Sequence, residues 1–109
     1  MSINNPEWAH LDEVKERVLK RFADSSVVRE IHFIPINAKQ LEIYVFFNRD
    51  EDLIVCEKSG VANKIKDLFN EELERVNRGN SSGVIIRFEF DSHENVVRNF
   101  RGNYFLRLR

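Results

Sequence analysis

The chain has few of the residues that cross-link or interrupt a backbone. It contains one cysteine, two prolines and four glycines in 109 residues. One thiol cannot form an intramolecular disulfide, and Cys56 has no His or Cys nearby at the spacing of a zinc site. We therefore expect a cytoplasmic protein in a reducing compartment, with Cys56 buried and with no metal and no cofactor.

The chain also lacks long apolar runs, and it has no basic N-terminal segment followed by an apolar one. We therefore expect neither membrane insertion nor a secretory signal. Charge is balanced, with 17 Lys+Arg against 18 Asp+Glu and an isoelectric point near 6.3. Near-neutral charge argues against direct binding of nucleic acid, although the C-terminal arginines alternate with aromatic residues. With 42% hydrophobic residues, the chain can form one densely packed domain over residues 1–109.

Two segments have the apolar periodicity of amphipathic helices. The first begins with Asn5 and Pro6, ends at Asp24-Ser25-Ser26, and pairs opposite charges four apart, as in Glu13 and Arg17, on a solvated face. The second follows Ser59-Gly60, and Gly79 is its predicted left-handed stop. The apolar stripes of the two helices are Trp8, Leu11, Val14, Val18 and Phe22, then Val61, Ile65, Leu68, Phe69, Leu73 and Val76.

Alternating and β-branched residues predict the strands. Residues 27–36 and 41–47 form a hairpin, in which Pro35 sits near a strand end or on an edge. Residues 53–56 form a short strand after a polar turn, 84–91 a strand with Phe88 facing inward, and 104–109 a closing strand. Residues 92–101 are either a helix capped by Ser92 or part of a hairpin, and the capping pattern favours the helix. The prediction is one α+β domain: a mostly antiparallel sheet of four to five strands, two amphipathic helices on one face, and a possible short third helix.

No pattern indicates catalysis strongly, so the main functional prediction is a protein-binding surface. Consecutive acids in a turn attract a basic partner, because complementary electric fields steer association. The predicted partner-binding residues are Asp50, Glu51, Asp52, Glu42 and Glu57.

Two alternatives remain open. Tyr44 and Phe46 lie on the strand face opposite the core, and an uncovered apolar face there would indicate an interaction or oligomerisation module, such as a homodimer. Alternatively, His32 and His93 could approach across the sheet as the acid–base pair of a small ribonuclease, with Arg87 or Arg98 stabilising phosphate.

The order helix, strand pair, long helix, strand resembles that of bacterial immunity proteins, as do the tail segments Phe90-Asp91-Ser92-His93-Glu94-Asn95-Val96 and Gly102-Asn103-Tyr104-Phe105. The chain is similar to immunity proteins of contact-dependent growth inhibition and to YezG-like immunity proteins of YeeF-type polymorphic toxins. YezG-like proteins end in a plainer hairpin, from which the second tail segment departs. The resemblance implies a cytoplasmic, non-catalytic protein that neutralises a cognate toxin, often a nuclease. No functional residues transfer position by position, because immunity surfaces diverge with their toxins.

Overall fold

A computed structural model describes residues 8–22 and 25–109, which form one α+β domain. Asn5, Pro6 and Asp24, the predicted ends of the first helix, lie outside the described residues. The elements in chain order are α1 (Leu11–Arg21), β1 (Val28–Asn37), β2 (Gln40–Phe47), α2 (Asp50–Lys58), α3 (Val61–Arg75), β3 (Ile85–Ser92), α4 (His93–Phe100) and α5 (Tyr104–Arg107).

The predicted hairpin is present, with β1 antiparallel to β2 across a turn in which Asn37 is opposite Gln40. The turn is stabilised locally, because the backbone N–H of Lys39 donates to the Asn37 side chain over 2.9 Å. Strand β1 is an outer strand of the order β1-β2-β3, so Pro35 lies on an edge strand as predicted.

The sheet described here has three strands, and the prediction of four to five is wrong. Strand β3 pairs with β2 in parallel, so only one of the two pairings is antiparallel. A parallel neighbour requires a long crossover, and α2 and α3 supply it.

Residues 53–56 lie in helix α2 and not in a strand, because the polar residues before them begin a helix. Asp50, Glu51 and Asp52 occupy its first turn, where carboxylates favour the positive end of the helix dipole. The Asp52 carboxylate also accepts the backbone N–H of Arg49 over 3.2 Å. A four-residue apolar run cannot by itself distinguish a strand from a buried helical turn.

The C-terminal segment after β3 contains two short helices, α4 and α5, separated by a turn at residues 101–103. The Ser92 hydroxyl accepts the backbone N–H of Asn95 over 3.0 Å and caps α4, as the favoured alternative predicted. The predicted closing strand is wrong, because Asn103 caps α5 by accepting the backbone N–H of Leu106 over 3.3 Å. An Asn cap outweighs the alternation of the six residues that follow it.

Gly79 is not the left-handed stop of α3. Asn77 takes that conformation with φ of 60°, whereas Gly79 is extended with φ of −101°. A Cβ at this position would overlap the Glu74 carboxylate, so a larger residue would require the Glu74 side chain to move. That carboxylate accepts the backbone N–H and the hydroxyl of Ser81 and so shapes the following loop.

The core lies between α1 and α3 on one side and one face of the sheet on the other. The two predicted helical stripes pack onto alternate residues of the strands, and both Phe88 and Phe90 of β3 face this layer. Cys56 is buried, as predicted. The fully buried side chains between the layers are Val14, Val18, Leu41, Ile43, Val45, Phe47, Ile65, Phe69 and Leu73.

The charged sides of α1 and α3 bind each other instead of facing only solvent. Glu72 of α3 is buried, and its carboxylate accepts hydrogen bonds from Arg17 (2.7 Å), Arg21 (3.0 Å) and Arg75 (2.9 Å). Glu13 likewise binds Arg75 and not Arg17, its predicted partner. Burial raises the pKa of Glu72, but the three guanidinium groups lower it more, from 4.5 to about 2.

We predict that Glu72→Gln lowers the free energy of unfolding by about 2 kcal/mol at neutral pH, because a hydrogen-bonded buried charge is lost. A depressed pKa contributes stability above the ordinary value of 4.5 and loses it as the pH falls towards about 2. Urea denaturation at several pH values between 2 and 7 should therefore show a flatter pH dependence for the variant than for the wild type.

The matched control is Glu71→Gln, since Glu71 is exposed and Arg21 is its one ion-pair partner among the described residues. It should change stability by less than about 0.5 kcal/mol. Equal effects of the two substitutions would contradict the role given to Glu72.

Candidate functional site

The face of the sheet opposite α1 and α3 carries most of the ionisable side chains of the strands, together with Tyr44 and Phe46. Strand register places them in rows across the sheet, because directly paired residues point to the same face. The three rows are Glu30–Phe46–Asp91, His32–Tyr44–Glu89 and Ile34–Glu42–Arg87.

Tyr104 of α5 packs onto the first two rows. Its ring stacks on His32 with centroids 5.2 Å apart and meets the edge of Phe46 at 4.8 Å. The predicted uncovered apolar face is therefore covered: Phe46 has no exposed surface, and the Arg107 guanidinium lies over the Tyr44 ring. A homodimer stays a prediction, and Ile85, which is 58% exposed, lies on the same face.

Tyr104 also joins the second histidine to the cluster. Its hydroxyl lies 2.6 Å from Nδ1 of His93, while Nε2 of His32 lies 3.0 Å from the Glu30 carboxylate. Burial, and next the negative charge of Glu30, raise the pKa of Tyr104 to about 12. The phenol is therefore protonated at neutral pH and can donate to Nδ1 of a neutral His93. We call His32, His93 and Tyr104 the imidazole cluster.

Arg107 anchors the other end of α5. Its guanidinium binds Asp91 over 2.6 Å and Glu89 over 2.8 Å. Asp91 also accepts the backbone N–H of Ser92 and the amide of Asn95, so one carboxylate connects β3, α4 and α5. Tyr104 and Arg107 are three residues apart, which places both on the helix side that faces the sheet.

The residues predicted for a ribonuclease are only partly brought together. Both histidines contact the same tyrosine, but Arg98 binds Asp50 over 3.0 Å, and Arg87 lies in the row of Glu42. Sequence reasoning missed Tyr104 as the residue that joins the histidines. Asn103, a good cap directly before it, is the signal that could have indicated a helix there.

Two of the predicted partner-binding acids are engaged within the fold. Asp50 accepts hydrogen bonds from the Ser92 hydroxyl and from Arg98, and both lower the pKa of Asp50. Asp52 accepts hydrogen bonds from the backbone and side chain of Arg49. These two carboxylates fix the start of α2 against α4 and the preceding loop.

The other three acids lie in two places. Glu42 belongs to β2 on the opposite face of the sheet from the core, where its carboxylate is 3.5 Å from the Tyr44 hydroxyl. Glu51 and Glu57 are exposed on α2, and the Glu51 side chain is 74% exposed with its nearest cation, Arg49, 3.6 Å away. The five predicted residues therefore do not form one continuous site.

Helix α2 adds an apolar feature to the acidic one. Ile54 is 51% exposed and Val55 is 56% exposed. They lie between Glu51 and Glu57 in a helix held in place at its first turn. We call these four residues the α2 surface. Sequence reasoning missed its apolar part, because residues 53–56 were assigned to a strand.

The part of the chain that the structure describes contains no group of three or more His, Cys, Asp or Glu arranged to hold a metal ion. None of the helices in residues 8–22 and 25–109 has the length and apolar character needed to cross a bilayer.

Comparison of the chain with protein-family models, with curated proteins and with solved structures found no match.

We predict that Tyr104→Ala releases α5 from the sheet, because the ring provides the contacts with His32, His93 and Phe46. Amide hydrogen exchange of residues 104–108 should rise markedly. Tyr104→Phe keeps the ring and should cost only the hydrogen bond to His93, about 1 kcal/mol in urea denaturation.

Phe105→Ala serves as the control, since Phe105 is 76% exposed on the same helix. It should leave both exchange and stability nearly unchanged. If Phe105→Ala also released α5 from the sheet, the anchoring role given to Tyr104 would be contradicted.

Proposed function

We propose that the protein is a non-catalytic immunity protein that binds and neutralises a cognate bacterial toxin through the α2 surface. The observation that carries the proposal is the exposure of Ile54 and Val55 between two exposed acids. The toxin class comes from the resemblance in sequence and pattern, and the cytoplasm is the compartment in which such a protein would act.

Protein interfaces of this kind combine apolar anchors with charges at the rim. Burial of two branched side chains supplies binding free energy, while surrounding charges increase the association rate and exclude partners of the wrong sign. A nuclease has a basic groove for phosphate, so it suits a surface carrying Glu51 and Glu57. Glu57 forms no ion pair with any described residue, which leaves its charge available to a partner.

The internal contacts of Asp50 and Asp52 support the proposal indirectly. They hold the first turn of α2 against Arg98, Ser92 and Arg49, so the exposed side of the helix needs no ordering when it binds. A preformed surface avoids part of the entropic cost of association. Reversing the charge of Asp50 or Asp52 would disturb this framework as well as any interface.

We predict that Glu51→Lys with Glu57→Lys lowers the association rate with the toxin at least about tenfold and reverses its salt dependence, because the steering charge is inverted. The free energy of unfolding should change by less than about 0.5 kcal/mol, since both side chains are exposed. The partner for stopped-flow binding is the product of an adjacent reading frame that is toxic alone and harmless with this protein.

A matched control is Glu16→Lys with Asp67→Lys, which changes the net charge equally at exposed sites on α1 and α3. It should keep most of the wild-type rate. Equal losses from both double variants would remove the α2 surface from the proposal. Absence of any neighbouring gene whose toxicity this protein suppresses would remove the immunity function itself.

A second candidate, a small ribonuclease, is favoured by one observation: His32 and His93 contact the same tyrosine. One imidazole would remove the proton of the 2′-hydroxyl and the other would protonate the leaving oxygen. This candidate is the weaker, because the Tyr104 hydroxyl and the Glu30 carboxylate already engage one nitrogen of each ring.

Incubation of the purified protein with total RNA tests this candidate. The ribonuclease mechanism predicts cleavage that disappears in His32→Ala and in His93→Ala, with the folded state checked by circular dichroism. No cleavage by the wild type would exclude the candidate, and cleavage that survives both substitutions would exclude these histidines.

A further inference from the structure

Within residues 8–22 and 25–109, strand β1 has one edge that no other strand covers. In the order β1-β2-β3 its second edge lies outside the sheet, and the pairing with β2 is regular from Glu30 to Pro35. An irregularity at Arg29 and the missing N–H of Pro35 bound this stretch. Beyond it, the Trp8 indole donates to the carbonyl of Asn37 over 3.1 Å, so the far end of the strand is occupied.

A groove of about 690 Å³ follows the free edge. One wall is α1, with Lys15 and Leu19, and the other is the C-terminal segment, with Tyr104, Phe105 and Leu108. The edge of residues 30–34 is about 16 Å long at the rise of a β-strand, enough for a short extended peptide. Outward N–H and C=O groups of an edge strand can pair with such a segment.

The charged side chains along the groove differ in whether they have a partner within the fold. Glu30 is bound to His32, whereas Lys15, Arg29 and Arg109 form no ion pair with any described residue. Asp12 is the remaining acid of the lining. The lining therefore carries three cations that form no ion pair with a described residue against two acids, Asp12 and Glu30, which favours an occupant that carries carboxylates.

We propose that the free edge of β1 binds an extended segment of a partner protein, with alternating acidic and apolar residues, as a fourth strand of the sheet. The main chain of the segment pairs with residues 30–34. Successive side chains of a strand point to opposite walls, so the carboxylates of the segment face Lys15 of α1 or Arg109 of the C-terminal segment, and its apolar side chains pack on the other wall, against Phe105 and Leu108 or against Leu19. The groove shares no residue with the α2 surface, so this inference does not depend on the proposed function.

A second copy of the chain fits the edge less well than a single strand. An antiparallel pairing of two β1 strands has a two-fold axis, which brings the same residues of both copies together. The second copy would bring its own Lys15, Arg29 and Arg109 to the groove and only Asp12 and Glu30 as carboxylates, so cations would outnumber anions at the contact.

The test uses capped heptapeptides with the protein labelled with nitrogen-15. One probe alternates glutamate and valine, a second alternates lysine and valine, and a third is the glutamate peptide with alternate amides N-methylated on one edge. At millimolar concentration the glutamate peptide should shift the amide signals of residues 30–34 and 104–108. The lysine peptide should bind at least about tenfold more weakly.

Either edge of a peptide can face β1, so the glutamate peptide is N-methylated on each edge in turn. One of the two N-methylated peptides should lose binding.

The charge preference is tested by Lys15→Glu with Arg109→Glu, which should favour the lysine peptide. Lys20→Glu with Lys64→Glu, two exposed lysines outside the groove lining, is the matched control and should keep the wild-type preference. The proposal is overturned if no amide of β1 shifts, if the glutamate and lysine peptides bind equally, or if both N-methylated peptides still bind as tightly as the unmethylated one. It is also overturned if light scattering shows a dimer whose dissociation shifts the same β1 amides.

Discussion

Strand β2 has strands on both of its edges, so its two faces must be covered by other parts of the chain. One face carries Leu41, Ile43, Val45 and Phe47, which α1 and α3 bury. The other carries Phe46, which is equally buried although no long helix lies over it. Tyr104 and Arg107 of α5 cover Phe46, and these contacts set the position of that helix on the sheet. The imidazole cluster is a consequence of this packing requirement.

Arginine–carboxylate contacts join pairs of elements whose relative positions apolar packing alone would not fix. Glu72 connects α1 to α3, Asp91 connects β3 to α5, and Asp50 connects α2 to α4. Each carboxylate accepts more than one hydrogen bond, so the geometry of these contacts is specific. Their net contribution to the free energy of folding is modest. Much of the charge in this chain therefore has a structural role, and only the remainder is available to partners.

Two surfaces carry charged side chains that have no such structural role, and the two surfaces are opposite in charge. The α2 surface combines exposed aliphatic residues with Glu51 and Glu57, whereas the edge of β1 combines main-chain groups with Lys15, Arg29 and Arg109. Both lie on elements whose positions are set by internal contacts, as recognition surfaces require if binding is to avoid a large ordering cost. A molecule with near-zero net charge can thus present separate acidic and basic sites, which total charge cannot reveal.

Local patterns in the sequence determined the two long helices, the hairpin, the cap at Ser92 and the inward face of β3. These features depend on periodicity and on residues close in the chain. Tertiary structure decided what such patterns leave ambiguous: that β3 joins β2 in parallel, and that Tyr104 reaches both His32 and His93. It also decided that Asp50 is engaged within the fold, since Asp50 looks like Glu51 in sequence but receives hydrogen bonds from Ser92 and from Arg98 of α4. Short apolar runs and charged residues have several local structures of similar free energy, and contacts between residues far apart in the chain select among them.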